Sequence, residues 1–459
     1  MRKLLLITLL ILFSTHSLSA QGYYDKCYFG TAAVDFGGWY PSVLTNSQMV
    51  AVETAVSMCS ANGDLLFYSN GGDSPTITSS FGAIWNANHQ VMENGLLGLT
   101  SGCVSSFHGG VAFPASGGSS KSFSNSSYYI FMRDCVESSV TSQPYNTGLT
   151  YCEIDMSANN GLGKVISVNT AVPFDTGYGL STNHEPLAAL LNGADDGWYV
   201  FSYNLDSLYS IEVNSNGIGA YKSHVVGERA IVFSPSREHV VVGSKLYNYD
   251  AFNNELSFIT SFSESTYAFS ANGEILYGLG GGRIVQYDLS AVHIVDSKIE
   301  IGSGITASSL HLTPDHRIYL HKSNSAYLPG FIDCPNTLGA NCGLTMTAID
   351  LGGKQSGYVF TNIPANFLYH DERGCQAEIE SHEKITALFE VYPNPSDGIF
   401  TISMHEFTEP LPIHVFSLDG KVVYSGEISN NNSEIDLSFV DAGIYIAEVM
   451  GARKRLVLR

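Results

Sequence analysis

His311, His316 and His321 stand five residues apart, and imidazole is the side chain best suited to acid–base work or metal ligation near neutral pH. Along one strand, side chains an even number of residues apart share a face. Spacings of five therefore alternate faces and do not gather three rings on one side. The pair His184-Glu185, on a turn before an apolar stretch, and Asp315 beside His316 are the remaining candidates for a site built from distant residues. The chain contains no HExxH, GxSxG, paired CxxC, P-loop or EF-hand pattern, so no known catalytic or ligand spacing supports them. A hydrogen-bonded or surface role is the better reading of each histidine taken alone. No catalytic residue, metal site or cofactor is expected, and the balance leans away from an enzyme. A second chemistry is carried by the 26 tyrosines. With Asn and Ser around a binding mouth they would stack on sugar rings and hydrogen-bond hydroxyls, although packing between sheets is the better reading of any single tyrosine.

The eight cysteines all follow the N-terminal segment. That segment places Arg2 and Lys3 before an apolar run, Leu4 to Phe13, and a small-residue stretch ending in Ala20, the order of a secretory signal peptide cut after Ala20. No second long apolar segment follows. An even cysteine count behind an export signal suggests disulfides. Cys334 with Cys342, across a short Pro/Asn/Gly loop, and Cys135 with Cys152, flanking a long hairpin, are the expected pairs. The net charge of −21 repels a phosphate backbone and argues against a nucleic-acid partner.

The elements that must position these residues read as strands. Leu65 to Tyr68, Tyr128 to Phe131, Trp198 to Phe201, Val240 to Val242 and Ile275 to Tyr277 are aromatic and β-branched runs bounded by turn formers. Several sit in a repeated phrase. Ser60-Ala61-Asn62-Gly63-Asp64 and Ser270-Ala271-Asn272-Gly273-Glu274 are its clearest copies, and Ser234 to Glu238 and Thr313 to Arg317 are looser ones. Each leaves a strand, turns through polar residues and re-enters an apolar strand. The spacing of the later copies approaches the length of a four-stranded propeller blade. Residues 21–370 are thus expected to form an all-β, β-propeller-like body of six or seven blades, which protects its own strand edges. A charged linker, 371–387, follows. Residues 388–459 then alternate as a small antiparallel β-sandwich, with Phe400, Ile402 and Met404 on one face and Asp419-Gly420 closing a hairpin.

That last segment resembles the type A sorting domain of the Bacteroidetes type IX secretion system. Three blocks carry the resemblance: Val391-Tyr392-Pro393-Asn394-Pro395-Ser396-Asp397-Gly398, Val415 to Val423 around Asp419-Gly420-Lys421, and Ala442-Gly443-Ile444-Tyr445-Ile446 followed by Lys454 to Val457. It implies export across the outer membrane by the type IX machinery, removal of the domain by a surface sortase, and attachment to surface polysaccharide or release. It also favours receptor docking for the basic cluster Arg453, Lys454, Arg455 and Arg459 over a merely charged edge strand. Pro393 and Pro395 are expected to set an extended entry into the sandwich.

The body is similar to the N-terminal region of large Bacteroidetes surface proteins that carry PKD modules or a gliding-motility-associated C-terminus. The matching phrases include Tyr28 to Phe36, Asn62 to Gly71, Ile84-Trp85-Asn86, Gly148 to Tyr151 and Ile363 to Phe367. This chain lacks the PKD repeats. Asp206-Ser207-Leu208 resembles a Bacteroidetes O-glycosylation acceptor, a triplet too short to weigh much. The leading expectation is a secreted or surface binding protein, an adhesin for glycan or protein. A hydrolase or lyase with a channel site and a structural surface-layer component are the alternatives.

Overall fold

The computed structural model describes residues 22–38, 41–73, 81–98, 102–115, 126–134, 148–172, 185–204, 207–226, 230–370, 389–404, 411–417, 421–449 and 452–459. The expected signal peptide, His184, Asp206, Cys135, the linker, and Asp419 with Gly420 lie outside the described residues. The chain divides into two compact units, Met1–Arg373 and Gly374–Arg459.

The first unit is a β-propeller of seven blades. Four blades are four-stranded sheets, a three-stranded sheet opens the unit, and an eight-stranded sheet supplies two more blades. Those two are joined where the outer strands Val91–Leu96 and Lys164–Ala171 pair in parallel at Glu93 and Lys164, whose side chains form a 2.7 Å ion pair. The innermost strands, in blade order, are Lys26–Phe29, Val56–Cys59, Gly110–Pro114, Ala188–Leu191, Ile231–Phe233, Thr266–Phe269 and Ser309–Leu312. From blade 1 to blade 7 each packs on the next.

The repeated phrase is the turn from the innermost strand to its neighbour. Its fourth residue is left-handed in every copy: Gly63 (φ 81°), Arg237 (φ 64°), Gly273 (φ 78°) and His316 (φ 62°). That residue's N–H bonds back to the carbonyl three residues earlier, on Ser60, Ser234, Ser270 or Thr313. The Ser hydroxyl then accepts the N–H of the returning strand, as in Ser270 with Ile275 (2.9 Å) and Ser234 with His239 (3.0 Å). A further copy, Asn192 to Gly197 in blade 4, uses Asp195 (φ 56°) at the equivalent place.

Aromatic side chains fill the seams between blades. Tyr28 stacks on Tyr68 at 4.2 Å, Phe113 on Trp198 at 4.7 Å, and Phe201 packs on Phe233 at 4.6 Å. Full burial of such rings contributes roughly 1.5–3 kcal/mol each.

Residues 355–370 form no strand and run along the propeller axis, tied to the inner edges of six blades. Gln355 exchanges hydrogen bonds with Thr31. The Thr361 hydroxyl donates to the Tyr28 carbonyl (2.7 Å). The Asn362 N–H donates to the Ala55 carbonyl, at the entry to blade 2. The Asn362 amide donates to the carbonyls of Gly110 and Leu187, both at 2.9 Å. Asn366 accepts from the Leu191 N–H, and the His370 N–H donates to the Ala271 carbonyl. Between blades 7 and 1 the Phe360 ring lies 5.3 Å from His311 and 4.3 Å from Phe29.

Neither expected cysteine pair forms. Cys152 and Cys342 are buried free thiols. Cys152 points into the core of blades 2 and 3, where its sulfur accepts the Asn169 N–H. Cys334 and Cys342 meet through the backbone, Cys334 N–H to Cys342 carbonyl at 2.9 Å, but the Cys342 side chain turns into the core of blades 6 and 7. Cys103 and Cys334 each take part in a disulfide.

The second unit packs a three-stranded sheet on a four-stranded one around its own core, including Phe400, Ile402, Met404, Val415 and Leu456. Phe400, Ile402 and Met404 point inward and Thr401 and Ser403 outward, as the alternation requires. Ser417 and Lys421 close the expected hairpin through a 2.9 Å backbone hydrogen bond. The bonds preceding Pro393 and Pro395 are cis; residues 393–395 form bends after the strand Phe389–Tyr392 in place of the extended entry expected.

Candidate functional site

Small side chains on the axis leave room. Ala188, Ala230, Ser265, Thr266, Ser308 and Ser309 help to line a cavity of about 310 Å³ between blades 4 to 7 and the axial segment. Ile231, Phe233, Leu310 and Ile363 contribute apolar wall, and Phe107, His108 and His311 also reach it. Among the described residues, no Asp, Glu, Lys or Arg lines it.

His311 and His321 meet across a hairpin. Ser309 pairs directly with His321 across neighbouring antiparallel strands, and directly opposed residues share a face. His311, two residues from Ser309, shares it too. The rings of His311 and His321 consequently lie 5.8 Å apart, and His108, from the entry to blade 3, lies 5.7 Å from His311. The Ser356 carbonyl, 3.4 Å from His321 Nε2, can only accept, so that nitrogen carries the proton. His321 Nδ1 then accepts from the Ser309 hydroxyl (3.4 Å), whose oxygen accepts from His311 Nε2 (2.8 Å). Burial and the facing His321 push His108 down to about 4. Burial pushes His321 down to about 4. Burial, with His108 and His321 beside it, holds His311 well below the usual imidazole range. All three are neutral at physiological pH.

His316 does not join them. It stacks on His370 at 4.2 Å, and burial, followed by the neighbouring imidazole, lowers it to about 4. Asp315 is engaged in its own turn, accepting from Thr313, Arg317 and Tyr319. Glu185 accepts the Phe107 N–H at 2.8 Å, beside the cavity. His108, Ser309 and Asn362 escaped the sequence reading. The innermost strands that bring His108 and Ser309 together are far apart in the chain, and no motif spans them. Among the described residues, no group of three or more His, Cys, Asp or Glu is placed to hold a metal ion.

In the second unit the residues of the sorting blocks have definite tasks. Asn394 Nδ2 donates to the Arg455 carbonyl (2.5 Å), and its Oδ1 accepts the Val457 N–H (2.9 Å). Ser396 N–H and carbonyl continue this pairing with Val457 and Arg459. Asn394 and Ser396 thus cover the outer edge of the strand Ala452–Leu458. Gly398 has φ 145°, and a Cβ there would meet Ser438 at 2.8 Å. Tyr445 donates its hydroxyl to the Asp441 carbonyl at 2.6 Å. Gly443 begins the strand that pairs with the terminal one, and Lys454 is half-buried on it.

Solved structures of similar shape are numerous but distant. A Bacteroides fragilis protein named as a candidate 6-phosphogluconolactonase aligns with TM-score 0.45 and 9% identity over 74% of this chain and 99% of its own. PorZ, a surface component of the type IX secretion system of Porphyromonas gingivalis, aligns with TM-score 0.32 and 10% identity over 95% of this chain and 74% of its own. The Swd1 propeller domain of Myceliophteria thermophila gives TM-score 0.36 and 10% identity over 64% of this chain and 92% of its own. Likeness at this level adds no functional information. No curated protein sequence matches the chain. Residues 390–459, in contrast, match the family described as the secretion system C-terminal sorting domain. Behind its seven-bladed body this chain therefore carries a type IX sorting domain, and it is a secretion cargo delivered to the cell surface or the extracellular space.

Proposed function

We propose that the propeller is the recognition part of an exported binding protein, an adhesin that takes glycan or protein in its axial cavity. The carrying observation is the cavity itself, concave, walled mainly by apolar side chains, and furnished with a few neutral polar groups. The sorting domain brings that cavity to the outside, with residues 371–387 as linker. A surface sortase then removes the domain and joins the body to surface polysaccharide or releases it. Imidazoles held near 4 by burial are weakly basic for proton abstraction at neutral pH, which favours binding over hydrolysis.

The mature protein should bind saturably on an array of glycans and peptides. Ala188→Phe and Thr266→Phe, which fill the cavity from blades 4 and 6, should abolish that binding while leaving the thermal midpoint near that of the parent. Binding that survives both substitutions places the ligand elsewhere. One observation favours hydrolysis as a second reading, the hydrogen-bonded chain from His311 through Ser309 to His321. Ser309 labelled by a fluorophosphonate, and no labelling of Ser309→Ala, would establish it.

A further inference from the structure

We infer that the axial cavity takes an extended, uncharged peptide segment lying alongside residues 361–368. This rests on the binding reading above and narrows its ligand. The channel already receives one polypeptide, the chain's own residues 355–370. It holds that segment by a repeated device. Amide and hydroxyl groups of the segment meet backbone groups on the inward edges of the blades, as Thr361 does on Tyr28 and Asn362 on Gly110 and Leu187.

The other half of the channel presents the same kind of edge. The strands Ile231–Phe233, Thr266–Phe269 and Ser309–Leu312 each end their sheet's order. Each therefore has one ladder partner, and its second edge is turned to the axis, the geometry onto which an extended segment adds. The small side chains Ala230, Ser265, Thr266 and Ser308 keep those edges approachable.

Charge decides what kind of segment. In a protein of net charge −21 the cavity wall carries no ionic side chain among the described residues, and its imidazoles are neutral. A buried charged group would find no partner there and would bear its full desolvation cost. Peptide amides, in contrast, find the Ser309 hydroxyl, the Asn362 amide and the strand edges, while small or apolar side chains find Ile231, Leu310 and Ile363. A sugar ring would place many hydroxyls against an apolar wall and leave them unpaired.

The test uses the mature full-length protein and an array of uncharged octapeptides, among them the sequence of residues 361–368. Each peptide is paired with a counterpart carrying Asp or Lys at its centre, and neutral oligosaccharides are spotted beside them. Uncharged peptides should bind, with affinity falling about tenfold or more in the charged counterparts and in both Ala188→Phe and Thr266→Phe. Oligosaccharides that bind while peptides do not, with binding lost in the two variants, overturn the peptide inference and leave the binding reading standing. Silence from every probe on folded protein overturns both. Peptide binding that tolerates a central charge also overturns the inference, because it places the ligand outside the uncharged cavity.

Discussion

Burial rather than ion pairing sets the behaviour of the histidines on the axis. His108 and His321 ionise near 4 in the folded protein, and burial holds His311 well below the usual imidazole range, whereas the same rings ionise near 6.5 once exposed. Between those values the unfolded chain binds more protons than the folded one, so stability must fall as pH is lowered from about 6.5 toward 4. His89, His224, His239 and His316 are lowered as well and act in the same direction. Urea midpoints measured at intervals across this window should decline with acidification, and His321→Gln should make the decline shallower. A flat profile would show that the rings are hydrated. At Asn362 the argument concerns hydrogen bonds. Its amide serves two carbonyls from different blades, so Asn362→Ala should lower stability by about 2–4 kcal/mol, since each buried group left unsatisfied costs about 1–3 kcal/mol. Chemical denaturation monitored by tryptophan fluorescence reads this directly.

At the scale of elements, one turn is written in several ways. Gly63 and Gly273 take the left-handed position without strain, while Arg237 and His316 take it with a side chain attached. The cost of the latter is roughly 1–2 kcal/mol per residue. At Gly273 a Cβ would also run into the Ser236 hydroxyl. Gly273→Ala should therefore destabilise the propeller by about 1–3 kcal/mol, seen as a lower thermal midpoint. In the second unit the side chain of Asn394 behaves as a missing strand partner for the terminal strand. Asn394→Ala should release the Val457 amide to exchange with solvent much faster, read by hydrogen–deuterium exchange, at a cost of about 1 kcal/mol to the sandwich. Unchanged protection at Val457 would show that Ser396 alone holds that edge.

For the molecule as a whole, the two units have separate hydrophobic cores and separate tasks. Deleting residues 390–459 should leave a folded propeller that fails to reach the cell surface or the medium and is retained in the cell, as fractionation and immunoblotting would show. Continued export would deny the sorting role of the matched domain. Within the propeller, the first and last blades are joined by the axial segment. Phe360 bridges blades 7 and 1, so this segment both shapes the cavity and ties the ring.

Local pattern by itself determined the all-β class, the alternation of the sandwich strands, the repeated turn and the sorting blocks. Each of these depends on residues close together in the chain, where period and turn chemistry leave few options. The axial site was not legible in that way. His108, Ser309 and Asn362 meet only after blades far apart in sequence close on a common axis. The spacing rule concerns residues along one strand, whereas His311 and His321 meet across a hairpin, where antiparallel register returns the chain to the same face. The cysteines failed for a related reason. Loop length brought Cys334 and Cys342 into backbone contact, but the burial demand of the blade core turned the Cys342 thiol inward. Tertiary packing decides which side chains meet because the energy of burial belongs to the closed ring and to no single segment of it.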